Sequence, residues 1–290
     1  MGSLSRILLP VDFSERSVAA VRYARSLAGY FGSELLLLHV LTPPQYEFGA
    51  NRIGGSMIED LYRGRAHQAA AELEAFLAGE LAGVSVERAV VEGDPAGRIV
   101  AYARERKVDI IMMPTHGIGP YRRFILGSNT AKVLHDAECP VWTCAHIEQV
   151  ASAAAAVPLR AIVCAVDLGS ESSKTLFWAA SLAREFGARL TLLHATAGDA
   201  DIGDDSEVNW RIDVREAAEQ ELSRLRGFVN AEADLLIEAG EPAKVICATA
   251  ARLQADALVI GRGSAAGLFG RLRTNAYAII RQAPCPVVSV

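Results

Sequence analysis

Short apolar runs alternate with amphipathic stretches along this chain. Residues 7–12 form the first apolar run, which is β-branched near its ends and is typical of a buried strand. The next stretch, 15–31, has helical character, with Ser14 placed to cap its start and Gly32 placed to end it. A second apolar run, 34–41, follows directly. The pattern therefore predicts a strand, a helix and a strand in succession.

The rest of the first half continues this alternation. Pro and Gly residues mark 42–55 as a loop, and apolar residues at helical spacing predict a helix over 57–82. Asp94 is placed to cap a further helix that begins at Pro95, where the missing N–H group has no consequence. The other predicted elements of this half are strands at 84–91, 109–113 and 140–144, a loop at 114–127, and a short helix from Ser128 to about Asp136.

The second half repeats the first. Residues 11–39 and 166–194 align without a gap, and Val-Asp, Ser-Leu-Ala, Phe-Gly and Leu-Leu-His recur in register. Such a repeat indicates two copies of one structural unit. We predict a first domain over 1–147, a connector over 148–159 and a second domain over 160–290. The strands of the second copy are predicted near 161–167, 189–195, 232–238, 256–261 and 286–290.

Strands that alternate with helices favour a parallel sheet with right-handed crossovers and helices on both faces. The predicted fold class is therefore α/β, with two tandem, Rossmann-like, doubly wound domains of five parallel strands each. In such sheets ligands bind beyond the carboxyl ends of the strands, where the strand order reverses. Asp12 ends one predicted strand and Met113-Pro114 ends another, so we expect both to lie at that edge.

Composition and charge argue against several classes of partner. The 290 residues are 51% hydrophobic and 22% charged, with a net charge of −5. This acidic balance gives no electrostatic reason to bind nucleic acid or an anionic membrane. No apolar run reaches the roughly 18 residues of a membrane span, no signal-peptide pattern opens the chain, and Arg6 stands where a myristoylation signal has Ser or Thr. We therefore expect a cytoplasmic protein.

The cysteines argue against a disulfide framework, because their number is odd and none forms a C-x-x-C pair. All lie in apolar contexts, which predicts small buried side chains in a reducing compartment, with metal or redox chemistry as the alternative. They are Cys139, Cys144, Cys164, Cys247 and Cys285.

The loop after the fourth predicted strand carries the sharpest chemical signal. Glycine lets backbone approach a ligand closely, N–H groups at a helix N-terminus attract anions, and guanidinium groups pair with phosphate. The loop therefore predicts a phosphate site, and the alternative is a capped helix after a surface loop. It reads Pro114-Thr115-His116-Gly117, then nine residues that include Arg122 and Arg123, then Gly127-Ser128-Asn129-Thr130.

Several short motifs, each weak alone, occur in the same order in both halves. The first half has Pro10-Val11-Asp12, Leu38-His39-Val40, Gly93-Asp94-Pro95, Gly117-x9-Gly127-Ser128 and Cys139-Pro140-Val141. The second has Val166-Asp167, Leu193-His194-Ala195, Gly240-Glu241-Pro242 and Cys285-Pro286-Val287. In this combination nearly the whole chain resembles the universal stress protein family, in a tandem form. The resemblance implies that family's adenine nucleotide alpha-hydrolase-like fold and a role in the stress response.

The resemblance also implies a site for ATP or a related adenine nucleotide in the first domain, usually with Mg²⁺. By that analogy Asp12 bonds the ribose, the backbone at Val11 and Val40 frames the adenine, and the glycine loop holds the phosphates. Pro114 stands where the family has glycine, which removes one backbone donor. The residues implied for this site are Pro10, Val11, Asp12, Val40, Met113, Pro114, Thr115, His116, Gly117, Arg122, Arg123, Gly127, Ser128, Asn129 and Thr130.

The second copy departs further from the family pattern. Gly261 restores the first glycine, but Ser264 replaces the second, and Arg273-Thr274 stands for Gly-Ser. A side chain at 273 either blocks close backbone approach or itself pairs with phosphate. We predict a weaker or degenerate second site, made of Asp167, Gly261, Gly263, Ser264, Arg273, Thr274 and Asn275.

Other candidate motifs have plainer explanations. Residues 261–266 fit the dinucleotide fingerprint, but they follow the fourth strand of their copy instead of the first. His39 and His194 end apolar runs and are expected to have satisfied hydrogen bonds, because a metal site needs several converging ligands. His116 is placed to donate to an anion, but nothing pairs it with a nucleophile. The carboxylates along 199–207 are expected to be solvated. We assign no catalytic residue and no metal held by protein alone.

The function that we predict is nucleotide binding in a regulatory role, and the chain is not expected to be an enzyme beyond weak ATPase activity. One rival is a slow ATP hydrolase, which needs a base near the γ-phosphate, and no residue is an obvious one. The other is a nucleotide-free interaction protein of the same fold, which Pro114 favours. The fifth strands, at 140–144 and 286–290, are apolar edges that we expect to pair as an internal pseudo-dimer, as the resemblance implies. A homodimer of whole chains stays open.

Overall fold

A computed structural model of the chain describes residues 4–43, 55–115, 126–144, 158–196, 205–262 and 271–290. For 55–62, 144, 205–212 and 271–274 it describes the backbone alone. The chain divides into two compact units, the first built mainly on Gly2–Trp142 and the second mainly on Pro158–Val290. We call them unit one and unit two.

Unit one alternates strands and helices as the sequence predicts. Its strands are β1 Arg6–Pro10, β2 Glu34–Leu41, β3 Val86–Glu92, β4 Ile110–Pro114 and β5 Val141–Cys144. Its helices are α1 Glu15–Phe31, α2 Gly55–Ala75, α3 Pro95–Glu105 and α4 Ser128–Asp136.

Unit two repeats the same order of elements. Its strands are β6 Ala161–Ala165, β7 Arg189–Thr196, β8 Asp234–Ala239, β9 Ala257–Ile260 and β10 Val287–Ser289. Its helices are α5 Ser172–Phe186, α6 Asp205–Val229, α7 Pro242–Arg252 and α8 Arg271–Gln282.

The strands of unit one lie in the order β3-β2-β1-β4-β5, and those of unit two in the order β8-β7-β6-β9-β10. The neighbours β1 and β2, β1 and β4, β6 and β7, and β6 and β9 are all parallel. This confirms the predicted α/β class with doubly wound parallel sheets. In each unit the order reverses beside the first strand, so a crevice opens there at the carboxyl ends of the strands.

The sheets are buried on both faces. Consecutive strand residues point to opposite faces, and Ile7 and Leu8 are both fully buried, as are Leu192 and Leu193. Helices therefore cover both sides of each sheet, which is why these strands read as continuous apolar runs and not as alternating ones. No helix in the described ranges has both the length and the apolar character needed to cross a membrane.

The predicted helix signals are present where they can be checked. The Ser14 hydroxyl caps α1 by accepting from the Ser17 N–H at 3.2 Å, and Gly32 ends that helix with a φ of 67°. The Asp94 carboxylate caps α3 by accepting from the Gly97 N–H at 3.1 Å, with Pro95 as its first residue. Each side chain satisfies an N–H group that the helix itself leaves without an acceptor.

The predicted helix over 57–82 is wrong at both ends. The helix begins at Gly55, inside the predicted loop, and ends at Ala75. Beyond it, Phe76 N–H bonds Leu73 C=O, and Leu77 takes a positive φ of 51°, so the chain turns away from the helix axis. Leu81 is still only 4% exposed. Apolar spacing alone therefore does not distinguish the helix from the packed turns that follow it. The strand bounds differ from prediction by at most two residues.

None of the described cysteines forms a disulfide. Cys164 and Cys285 are buried, as the sequence predicts, whereas Cys139 and Cys247 are only partly buried. Burial raises the pKa of the Cys164 thiol strongly. Burial, together with the nearby Glu241 carboxylate, raises the pKa of Cys247 to about 11. A raised pKa leaves little thiolate at neutral pH, and the thiolate is the reactive form.

We therefore expect iodoacetamide to alkylate Cys247 slowly at pH 8 in the native chain, and faster as the pH rises toward 11. Peptide mass spectrometry measures the rate, with the chain unfolded in urea as the control. Equal rates in the native and unfolded chains at pH 8 would contradict this expectation.

Candidate functional site

A cleft of about 390 Å³ lies in unit one where the strand order reverses. It opens at the carboxyl ends of β1 and β4, the edge that the sequence predicts. Of the predicted site residues, those that line it are Pro10, Val11, Asp12, Val40, Met113, Pro114, Gly127, Ser128, Asn129 and Thr130. Thr115 is described and buried but does not line the cleft. His116, Gly117, Arg122 and Arg123 lie outside the described residues.

Asp12 is held by a compact hydrogen-bonded turn at the start of α1. Its Oδ1 accepts from the Ser14 N–H at 3.1 Å, the Ser14 hydroxyl at 2.6 Å and the Ser17 hydroxyl at 2.5 Å. The Ser17 hydroxyl also accepts from the Asp12 N–H at 3.2 Å. Within the described part of the chain, no group bonds Oδ2. The turn therefore fixes the carboxylate through one oxygen and leaves the other to accept from a ligand.

Phe13 follows Asp12 in a conformation that bulky residues rarely adopt, with a φ of 61°. Its ring packs on the His39 ring at a centroid distance of 4.6 Å and on the Phe76 ring at 5.6 Å. Leu168, the equivalent residue of unit two, has the same φ of 61°. A strained residue kept in both copies beside the same aspartate is a mark of a functional turn.

His39 forms a hydrogen bond to the backbone of Val11, and both residues line the cleft. Its Nδ1 lies 2.8 Å from the Val11 C=O, so Nδ1 carries the proton and donates. The Val11 N–H donates to the Leu38 C=O at 2.8 Å. The prediction of a histidine with satisfied hydrogen bonds is confirmed for His39, and for His194, whose Nδ1 lies 2.9 Å from the Val166 C=O.

The first turn of α4 presents backbone N–H groups at the end of the cleft that it lines. Gly127 is its N-cap, and no side chain caps the helix. The Gly127 N–H donates to the Thr115 C=O at 2.9 Å, and the Thr130 hydroxyl donates to the Pro114 C=O at 3.2 Å. Gly127 therefore ties the loop ends together and does not supply a donor itself. The donors that face this end are the N–H groups of the first helical turn.

Unit two has a corresponding cleft of about 320 Å³. Asp167, Gly261 and Asn275, from the predicted second site, line it. Asp167 Oδ1 accepts from the Gly169 N–H at 2.9 Å and the Ser172 hydroxyl at 3.1 Å. Gly263 and Ser264 lie outside the described residues, and so do the side chains of Arg273 and Thr274.

The two units differ at Pro114, where unit two has Gly261, and they also differ at a second position close to it. A Cβ atom added to Gly261, which takes the place of Pro114 in unit two, would lie 3.1 Å from Thr175 Oγ1. In unit one the residue equivalent to Thr175 is Ala20. Each unit thus combines one larger and one smaller residue at these two positions, and a side chain at Gly261 would crowd the Thr175 hydroxyl.

Comparison with known proteins shows the family to which the chain belongs. The sequence profile described as the universal stress protein family matches residues 4–144 and again residues 158–290. The chain belongs to the universal stress protein family. The recognition made from the sequence motifs is thereby confirmed, and so is the tandem arrangement of two family domains.

Known relatives resemble the chain along its length or over one half. A universal stress protein of Mycolicibacterium smegmatis is 25% identical over 98% of this chain and 96% of its own length. The crystal structure of a universal stress protein from Archaeoglobus fulgidus covers 98% of this chain and 95% of its own, with 22% identity and a TM-score of 0.65, and shows the same fold. A universal stress protein crystallised in complex with cAMP covers 46% of this chain and 97% of its own, with 18% identity and a TM-score of 0.38.

Sequence reasoning missed several residues of the unit-one cleft. Ser17, His39, Thr42, Pro95 and Ile99 line it. The repeat itself held the signal for Ser17, because Ser172 recurs at the equivalent place and makes the equivalent bond to Asp167. Pro95 and Ile99 belong to α3. The position of α3 beside the cleft is set by tertiary packing, so the sequence gives no local signal for these two residues.

Proposed function

We propose that unit one binds ATP or a related adenine nucleotide, in a regulatory role in the cytoplasmic stress response. The observation that carries this proposal is the convergence of three unlike surfaces on one cleft. The carboxylate of Asp12, the uncapped first turn of α4 and a set of apolar side chains all line it.

Each surface suits one part of the nucleotide. A carboxylate accepts from ribose hydroxyls, and charge-assisted hydrogen bonds of this kind are strong ones. Helix N–H groups and the helix dipole favour a phosphate at Ser128 to Thr130. Val40, Ile99 and Met113 supply an apolar wall for the base. The volume of about 390 Å³ is within the range of small-molecule sites.

A magnesium ion would enter this site with the nucleotide. Across the described ranges, no three His, Cys, Asp or Glu side chains stand close enough together to hold a metal ion. Mg²⁺ binds few protein carboxylates and shares its shell with phosphate oxygens and water. We therefore propose that any Mg²⁺ here is held mainly by the phosphates.

The arrangement supports binding more than turnover. Asp12 has one oxygen engaged in the turn and is assigned to the ribose. Among the described lining residues, we find no base beside the first turn of α4. Hydrolysis of ATP needs a group that orients the attacking water, so we propose that nucleotide occupancy itself is the signal.

Isothermal titration of the full chain with ATP, AMP and cAMP tests the proposal. We expect saturable binding of at least one of them, with Asp167→Ala leaving the binding in unit one intact. If none of the three binds at millimolar concentration, the nucleotide-free interaction protein is the better description. Phosphate release that exceeds that of Gly127→Val would instead support a slow hydrolase.

Gly127→Val is expected to weaken ATP binding at least tenfold. Gly127 has a φ of −59° and a ψ of 142°, so the backbone accepts valine, but a branched side chain at the N-cap crowds the approach to the first turn of α4. Titration with ATP measures the loss. Gly127→Ser is the matched control, because serine is a preferred N-cap and the smaller change. An unchanged affinity in Gly127→Val would place the phosphates elsewhere.

The association of the two halves through the strands at 140–144 and 286–290 stays a prediction. Covalent linkage favours pairing within one chain, because it raises the effective concentration to about the millimolar range. Residues 1–147 expressed alone should then self-associate or aggregate. Sedimentation velocity measures this, and a stable monomer with an unchanged melting temperature would contradict it.

A further inference from the structure

We propose that the cleft of unit two binds a nucleoside, which is a base with its ribose and without phosphate groups, in preference to a nucleotide. The proposal rests on the function proposed for unit one, because that function assigns the carboxylate end of the cleft to a ribose. It differs from a merely weaker copy of the first site, because the two ends of the second cleft have changed unequally.

The carboxylate end is preserved. Asp167 Oδ1 is fixed by the Gly169 N–H and by the Ser172 hydroxyl, which is only 4% exposed. His194 donates a hydrogen bond to the Val166 C=O, as His39 does to the Val11 C=O. Leu168 keeps the positive φ seen at Phe13. The same turn therefore presents the same carboxylate in both units.

The middle of the cleft remains an apolar enclosure. Ile246, Ile260, Ala276 and Ile279 line it, and none is more than 8% exposed. A flat base placed there exchanges water for apolar contact, which is the main favourable term for such a ligand. The volume of about 320 Å³ is at the lower end of the range for small-molecule sites.

Among the described residues, the backbone donors that α4 presents for a phosphate have no counterpart in α8, because α8 begins earlier than α4 in the repeat. In unit one, Ser128, Asn129 and Thr130 are the first three residues of α4, so the helix leaves their N–H groups without acceptors. The equivalent residues, 274–276, are the fourth to sixth residues of α8, which begins at Arg271. From the fourth residue onward, each N–H group bonds a carbonyl four residues back. Those three donors are therefore used within the helix.

The donors that α8 still offers are displaced from the cleft. They belong to its first turn, three residues before 274–276, which is roughly 4.5 Å along the helix axis at 1.5 Å per residue. Asn275 lines the cleft from within the helix, where its backbone is already paired. An anion placed here as proposed for unit one would lie beside the middle of a helix, where the backbone N–H groups are already paired, and not at a helix N-terminus.

The cleft of unit two also has a second acidic residue in its lining. Glu171 lines the cleft of unit two, and the aligned residue of unit one is Arg16. Glu171 and Asp167 are both exposed, so two carboxylates stand at this cleft. A polyphosphate would be repelled by both, whereas an uncharged nucleoside would not.

The test uses the full chain with Asp12→Ala, which weakens unit one, and adds Asp167→Ala as the second change. Isothermal titration is run with adenosine, guanosine, cytidine and uridine, and with ATP. We expect one nucleoside to bind the Asp12→Ala chain at least tenfold more tightly than ATP, and this binding to be lost in the double variant. The 2′,3′-dideoxy form of that nucleoside should bind at least fivefold more weakly, since it lacks the hydroxyls for Asp167.

Two results would overturn the proposal. One is ATP binding to the Asp12→Ala chain as tightly as any nucleoside and dependent on Asp167. The other is the absence of Asp167-dependent binding for all four nucleosides, in chains whose melting temperature shows that unit two is folded. The proposed function of unit one is separately tested by ATP binding to the Asp167→Ala chain, so either proposal can fail alone.

A charge reversal provides a second test that does not remove the carboxylate of the turn. Glu171→Arg should raise the affinity of unit two for ATP several-fold at low salt. Glu171→Gln is the matched control and should have a smaller effect in the same direction. If Glu171→Arg leaves ATP binding unaltered while Arg273→Ala abolishes it, the guanidinium at 273 holds a phosphate and the proposal is wrong.

Discussion

Asp12→Ala is expected to weaken ATP binding to the full chain by about 1–3 kcal/mol, which is roughly five- to 150-fold in affinity. Asp12 is held by Ser14 and Ser17 through Oδ1 alone, so Oδ2 is positioned before the ligand arrives. A preorganised acceptor adds affinity because its ordering is already complete in the free protein. Isothermal titration with ATP measures the change.

Asp12→Asn is the matched control for this prediction. Asparagine keeps an oxygen that accepts from Ser14 and Ser17 but removes the negative charge, so it should lose less affinity than alanine. Asp167→Ala changes the equivalent residue of unit two and should leave ATP binding nearly intact. Melting curves of all three variants separate a lost ligand contact from a damaged turn. Equal losses from Asp12→Ala and Asp167→Ala would mean that both clefts take ATP.

Gly240→Ala is expected to destabilise unit two by about 3 kcal/mol. Gly240 follows β8 with a φ of +147°, a conformation that L side chains rarely adopt. An added Cβ would lie 2.7 Å from Val245 Cγ2, which is closer than real contacts allow. Backbone strain and overpacking each cost roughly 1–3 kcal/mol. Urea unfolding followed by circular dichroism measures the loss.

Two variants give this prediction its controls. Gly227→Ala lies in α6 with no atom within 4 Å of the added Cβ, and it should stabilise the chain by about 0.5–1 kcal/mol because alanine favours helix. Gly240→Ala combined with Val245→Ala removes the clash but keeps the strained φ, so it should recover part of the loss. A Gly240→Ala chain that unfolds at the wild-type urea concentration would show that the turn relaxes freely.

The sequence was sufficient to predict the sheets and most of the unit-one cleft. Buried parallel strands are continuous apolar runs, and caps such as Ser14 and Asp94 act through neighbours three residues away. Both signals are local, so they can be recognised without a structure. Asp12 and Pro114 were placed correctly for the same reason, because each directly follows or ends such a run.

Features set by tertiary packing were not predictable. Nothing in the residue types of Phe13 and Leu168 signals a positive φ, since the conformation is imposed by the turn around the preceding aspartate. The early start of α8 was not predictable for a different reason. The alignment of Thr274 with Ser128 gives no sign that the helix of unit two begins three residues earlier, at Arg271.

The two units differ at a pair of equivalent positions, which hold Pro114 and Ala20 in unit one and Gly261 and Thr175 in unit two. This difference has a consequence for how such proteins diversify. In a homodimer of single-domain subunits, one gene encodes both clefts, so every substitution appears twice. A duplicated chain removes that restriction, because Ala20 and Thr175 are inherited together yet vary separately. One cleft is then free to change its ligand while selection preserves the other. Because each chain contains one cleft of each kind, binding sites for two different metabolites would always be present in equal numbers.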